Sequence, residues 1–192
     1  MLTLVFGLAL FLGVHSLRIV AEDFRSAQIA RWGEGAWKGL YSLASIAGLV
    51  AIVWGFGQAR QQPLVLWATP AWLGSVAALL MLLAFVLLAA AYVPGNSLKA
   101  RLHHPMVLGV KVWALAHLIA NHTLADVLLF GSFLLWAVLS FRAARARDRA
   151  AATVYPAGST ARTLLTVALG SAAWAVFAFW AHATLFGVRP FG

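Results

Sequence analysis

The chain has no cysteine, five acidic residues, and only 10% charged residues among its 192 positions. Without cysteine there is no disulfide framework, no iron–sulfur cluster, no zinc–thiolate centre and no covalent attachment of a c-type haem. The scarcity of charge excludes an ordinary soluble domain, in which roughly a quarter of residues are charged. With 63% hydrophobic residues and a mean hydropathy of +0.89, intrinsic disorder is excluded as well. The charges gather in a few short stretches separated by long uncharged runs, which is the pattern of an integral membrane protein.

Those runs cover residues 1–14, 39–59, 61–98, 112–125, 127–141 and 163–188. A spanning helix needs about 20 mostly apolar residues. Residues 39–59, about 72–93, and 163–188 each make one span, and the first run extends through His15, Ser16 and Arg18 to Val20. Residues 105–141 divide at Asn121-His122-Thr123 into two shorter helices. The expectation is an all-α, polytopic membrane bundle of about six transmembrane helices, forming a single domain over residues 1–192. Pro94-Gly95-Asn96 closes the third span, Pro105 suits a first helical position, and Pro63 and Pro70 bracket a loop. Residues 142–162 read as the longest polar connection and the best place for a flexible loop.

The first span reads as a retained anchor rather than a secretory leader, since it lacks a basic start, its basic residues follow the apolar run, and no A-x-A-like site closes it. Eleven Lys and Arg (Arg18, Arg25, Arg31, Lys38, Lys99, Arg101, Arg142, Arg145, Arg147, Arg149 and Arg162) fall after spans one, three and five, against Arg60 and Arg189 on the other side. This bias is expected to put both termini outside, with the basic segments on the cytoplasmic side. The formal charge of +9 is thus mostly a topology signal, with anionic headgroups and the lipid bilayer as partners rather than nucleic acid. Trp32, Trp37, Trp54, Trp67 and Trp72 near span ends read as an aromatic belt, and Gly35-x-x-x-Gly39 as a weak helix-approach motif. Glu22, Asp23 and Glu34 are expected to pair with Arg18, Arg25, Arg31 or Lys38, and Asp126 to sit as an ordinary interfacial carboxylate.

Polar side chains at membrane depth face a partner, a cavity or a ligand. Six histidines dominate that class: His15, His103, His104, His117, His122 and His182. His117 shares a helix face with Trp113 and Ala114, one large flat ring and one small residue, and this face suits a planar ligand. His15 shares a face with Phe11 and Leu12 below it and Arg18 above. Two neutral imidazoles on facing helices of an apolar bundle are the usual b-type haem arrangement, with basic residues nearby for the propionates. Arg18, Lys99, Arg101 and Lys111 are candidates for that role. Depth leaves the pairing open: His15 lies about 8 Å inside the boundary, whereas His117 lies about 18 Å inside counted from Pro105, or about 9 Å counted from Lys111. His104 and His117, thirteen positions apart, fall on roughly opposite helix faces, which opposes their ligating one iron.

Four segments carry a resemblance: Gly13-Val14-His15-Ser16-Leu17-Arg18, residues 33–42 from Gly33 to Ser42, Ala91-Tyr92-Val93-Pro94-Gly95, and residues 104–117 from His104 to His117. Over nearly the whole chain it resembles the NnrU family of bacterial membrane proteins. That resemblance implies an association with nitrite and nitric oxide reduction in denitrification. The same domain is similar to the plant zeta-carotene isomerase, a haem b enzyme acting on a membrane polyene. The resemblance implies haem-associated histidines at His15 and His117, and hence non-covalent haem b as the cofactor and these two residues as the iron ligands. Ala114 stands where the isomerase has a cysteine, so thiolate ligation is absent here.

A second resemblance is that of His103-His104-Pro105-x-x-x-Gly109 to the Arg-His-Pro-x-Tyr-x-Gly element of membrane methyltransferases that use S-adenosylmethionine, with His103 and Val107 departing from it. The cofactor-binding candidates are therefore His15, His117, Trp113, Ala114, Arg18, Lys111 and His104. Three readings follow. One is a haem protein handling electrons or a hydrophobic or gaseous ligand, another a haem-dependent isomerase of a membrane polyene, and the third a non-haem transporter or divalent-metal site on His103, His104, His117 and His122. Self-association into a homo-oligomer is left open.

Overall fold

The structure is a computed structural model that describes residues 1–191. It contains helices α1 (Leu2–Val20), α2 (Glu22–Trp32), α3 (Glu34–Ala59), α4 (Trp72–Tyr92), α5 (Ser97–Leu102), α6 (Pro105–Ala120), α7 (Leu124–Ala150), α8 (Thr160–Val176) and α9 (His182–Phe186), with a π-helical turn at Phe177–Ala181 joining the last two. No strand occurs among the described residues. All six prolines lie outside helix interiors, with Pro105 at the first position of α6, as their missing N–H demands. Helices satisfy every interior backbone group locally, which a hydrocarbon environment requires.

Five helical stretches are long and apolar enough to cross a membrane: Leu2–Val20, Glu34–Ala59, Trp72–Tyr92, Leu124–Ala150 and Thr160–Phe186. The sixth expected span exists as α6, whose 16 residues reach about 24 Å, short of a hydrocarbon core of about 30 Å. Its successor is not short. α7 continues through Arg142–Arg149 to Ala150, so the stretch expected to be a flexible loop is helical, because alternating Ala and Arg are strong helix formers. Only residues 151–159 remain as the connection. The charges after the first span likewise fold into α2 rather than a loop.

The chain divides into two compact units, Met1–Ala68 with His122–Ser140, and Thr69–Asn121 with the residues from Phe141 on, the division falling inside α7. In the first unit α1 packs along α3 at backbone distance. A Cβ at Gly7 would lie 2.5 Å from the Ile52 nitrogen, one at Gly48 2.8 Å from the Phe11 nitrogen, and one at Gly55 2.3 Å from the Leu4 nitrogen. Gly35 and Gly39 meet nothing within 4 Å, so the close approach uses Gly48 and Gly55, seven positions apart, instead of the expected motif. Trp37 is buried while Trp32, Trp54, Trp67 and Trp72 are exposed, which removes Trp37 from the belt.

α7 begins in a reciprocal cap: Thr123 donates its N–H to Asp126 at 3.0 Å and its hydroxyl at 2.6 Å, and Asp126 returns its N–H to the Thr123 hydroxyl at 3.3 Å. In the second unit α4 packs against α6 and α8. The chain from Gly95 to Ser97 is tied to the start of α8 by Ser159 N–H to Gly95 O (2.9 Å) and Ser97 N–H to Thr163 Oγ1 (2.9 Å). Asn96, 1% exposed, caps α5 by accepting from Lys99 N–H at 2.8 Å.

Candidate functional site

Three histidine neighbourhoods emerge. The first lies in the first unit, where the glycine contacts that bring α1 onto α3 also position the Phe11–His15 face. The His15 ring stacks on Phe11 (centroids 4.2 Å apart, 25°), tilts against Tyr41 of α3 at 5.2 Å and meets Trp136 of α7 edge-on at 6.1 Å and 85°. Its Nδ1 lies 2.7 Å from the Phe11 carbonyl oxygen. A carbonyl only accepts, so Nδ1 carries the proton and Nε2 carries the electron pair. The Trp136 indole nitrogen, in the same neighbourhood, is buried without a hydrogen-bond partner. Arg18, one turn beyond His15, lies 3.9 Å from Glu22, which also takes Arg25 at 2.9 Å. Lys38 pairs with Glu34 at 2.8 Å.

The second neighbourhood, in the second unit, repeats the device. His117 Nδ1 lies 3.0 Å from the Trp113 carbonyl oxygen, and the two rings are 5.4 Å apart. The same tautomer follows, with the electron pair at Nε2. Ala114, on this face, is completely buried, and Lys111 is half-buried on α6. The structure thus joins His117 with Trp113, and His15 with Phe11.

His104 is taken elsewhere. It caps α6, and its Nε2 donates to Asp148 Oδ2 at 2.8 Å. Tyr155 OH donates to both Asp148 oxygens, at 3.2 and 3.1 Å. Arg145 donates to His103 Nδ1 and lies 3.7 Å from Asp148 Oδ2, while the His103 and Tyr155 rings stack at 4.0 Å. His103 has φ 68 and ψ −51, with a hydrogen bond from His104 N–H to Leu102 O at 2.8 Å across it. This γ-turn at positive φ costs about 1–3 kcal/mol and directs two consecutive imidazoles towards one carboxylate. Asp148 thus accepts from His104 and Tyr155, with Arg145 close to the same carboxylate. Burial and the Asp148 charge push Tyr155 up.

This cluster was missed in the sequence. Asp148, the one acid within the arginine-rich stretch, was the available signal. Trp136 and Tyr41 were missed as companions of His15. The expected divalent-metal site on His103, His104, His117 and His122 is not formed. No group of three or more His, Asp or Glu side chains is set to hold a metal among the described residues, because His103 and His104 are engaged with Arg145 and Asp148 and His117 bonds its own helix. The segment resembling the methyltransferase element is the γ-turn and the first turns of α6.

No curated protein and no solved structure matches the chain significantly. The family described as NnrU protein matches residues 3–190, nearly the entire length and both histidine-bearing segments. A multi-span helical chain matched from end to end in this way belongs to the NnrU family.

Proposed function

We propose that this NnrU-family protein binds haem b through His15 and His117, and serves nitrite and nitric oxide reduction as an electron- or gas-handling component of a bacterial cytoplasmic membrane. The observation that carries the reading is the shared state of the two imidazoles. Each gives its Nδ1 proton to the carbonyl four residues earlier, at 2.7 and 3.0 Å, and so presents Nε2 as a ligating nitrogen. Metal-binding histidines characteristically hold the second ring nitrogen in this way, which fixes tautomer and ring orientation and raises ligand basicity.

The residues fit the group. Rings such as Phe11, Tyr41 and Trp136 around His15 are of the kind that suits the faces of a flat macrocycle, and the small Ala114 beside His117 asks little room. The orphaned Trp136 N–H calls for an acceptor that the chain itself does not provide. Bound haem supplies a one-electron iron couple whose potential follows ligand type and burial. The protein's own part is to hold two neutral imidazoles, to keep water from them with aromatic and aliphatic side chains, and to offer cationic side chains such as Arg18 and Lys111 to carboxylates. The lysine and arginine bias supports an orientation with both termini outside.

An isomerase acting through thiolate exchange is disfavoured: the position concerned is Ala114, buried and without sulfur. The test is an absorption spectrum of protein expressed with added haem and purified in detergent, with the haem quantified as its pyridine complex. One b-type haem per chain supports the proposal; haem-free protein overturns it.

A further inference from the structure

We infer that Trp136 is a haem-anchoring residue whose indole N–H donates a hydrogen bond to a propionate carboxylate, an inference that rests on the haem reading above. The Trp136 nitrogen is buried and unpartnered, and an unsatisfied buried donor costs about 1–3 kcal/mol. Its ring stands edge-on to His15 at 6.1 Å, so whatever His15 holds lies within reach of the same neighbourhood. Among the described residues no group accepts the indole's hydrogen bond, and Glu22, seven residues beyond His15 on the charged side, takes Arg25 at 2.9 Å.

Position selects the carboxylate. Arg18 follows His15 by three residues and Arg142 follows Trp136 by six, so both side chains lie within two helical turns of the charged boundary. The charged edge of haem belongs at such a boundary, and its two propionates are its only anionic groups. An N–H bonded to a carboxylate is charge-assisted and stronger than a neutral bond.

The experiment compares the affinities of wild type and Trp136→Phe for haem and for haem dimethyl ester, whose carboxylates are masked. Wild type is expected to bind the ester at least about tenfold more weakly than haem, and Trp136→Phe to bind haem several-fold more weakly with the ester penalty reduced by about the same factor. A purely structural role would lower both affinities and leave their ratio unchanged. Ultraviolet resonance Raman difference spectra, wild type minus Trp136→Phe, should show the indole N–H becoming hydrogen-bonded on haem addition. An undiminished ester penalty in Trp136→Phe, with haem still bound, overturns this inference alone. Absence of haem binding in wild type overturns it together with the reading beneath it.

Discussion

Two polar neighbourhoods in this chain are built in opposite ways. Around Asp148 the groups satisfy one another: His104, Tyr155 and Arg145 converge on one carboxylate, and His103 accepts from Arg145. Around His15 the imidazole is oriented by its own backbone, the neighbours are aromatic, and one indole donor is left over. The denser cluster is the more eye-catching, but a completed network has little left to give a ligand and serves to hold chain segments together. The sparser neighbourhood, arranged but incomplete, has the character of a binding site.

If that contrast is right, substitutions in the two places fail differently. The largest effect is expected from His15→Ala and His117→Ala, each reducing haem content of the purified protein at least about tenfold, with little change in the thermal midpoint of haem-free protein. Loss of stability without loss of haem would erase the contrast. Next is Gly158→Ala. Its Cβ would stand 2.2 Å from the Ser97 nitrogen and 2.3 Å from the Asn96 carbonyl carbon, so the junction of α5 and α8 must part, at a cost of about 3 kcal/mol read as a lowered unfolding midpoint.

Asp148→Asn should leave haem content untouched and lower the unfolding midpoint, because His104, Tyr155 and Arg145 lose the charged acceptor they share. An unchanged midpoint in thermal melts would remove the ionic role of Asp148. The smallest effect concerns Ala152, at φ 47 just beyond α7, where Thr153 N–H returns to Asp148 O and Ala152 N–H to Arg149 O. Glycine is the usual residue at such a helix end, and Ala152→Gly should stabilise the protein by about 1 kcal/mol.

What was legible in the sequence was whatever depends on neighbours along the chain. Uncharged runs marked the helices, Pro105 and Pro94-Gly95-Asn96 marked their ends, and spacing put Trp113 and Ala114 beside His117. What depends on distant partners was not legible. His104 meets Asp148 across 44 positions, and Gly7 is needed only because α3 lies against it. Arg142–Arg149 looked like a loop because charge suggested exposure, yet exposed Ala and Arg form helix readily. The γ-turn at His103 has no glycine to announce it. Trp136 was hidden among nine tryptophans whose average role is interfacial.

The central claim, that two histidines ligate haem iron, is tested most directly by electron paramagnetic resonance of the oxidised, haem-loaded protein. The account predicts a low-spin signal of bis-imidazole type in wild type. In His15→Ala and in His117→Ala, any haem that remains should give a high-spin signal. A high-spin signal from wild type, or a low-spin signal that survives either substitution, would contradict it.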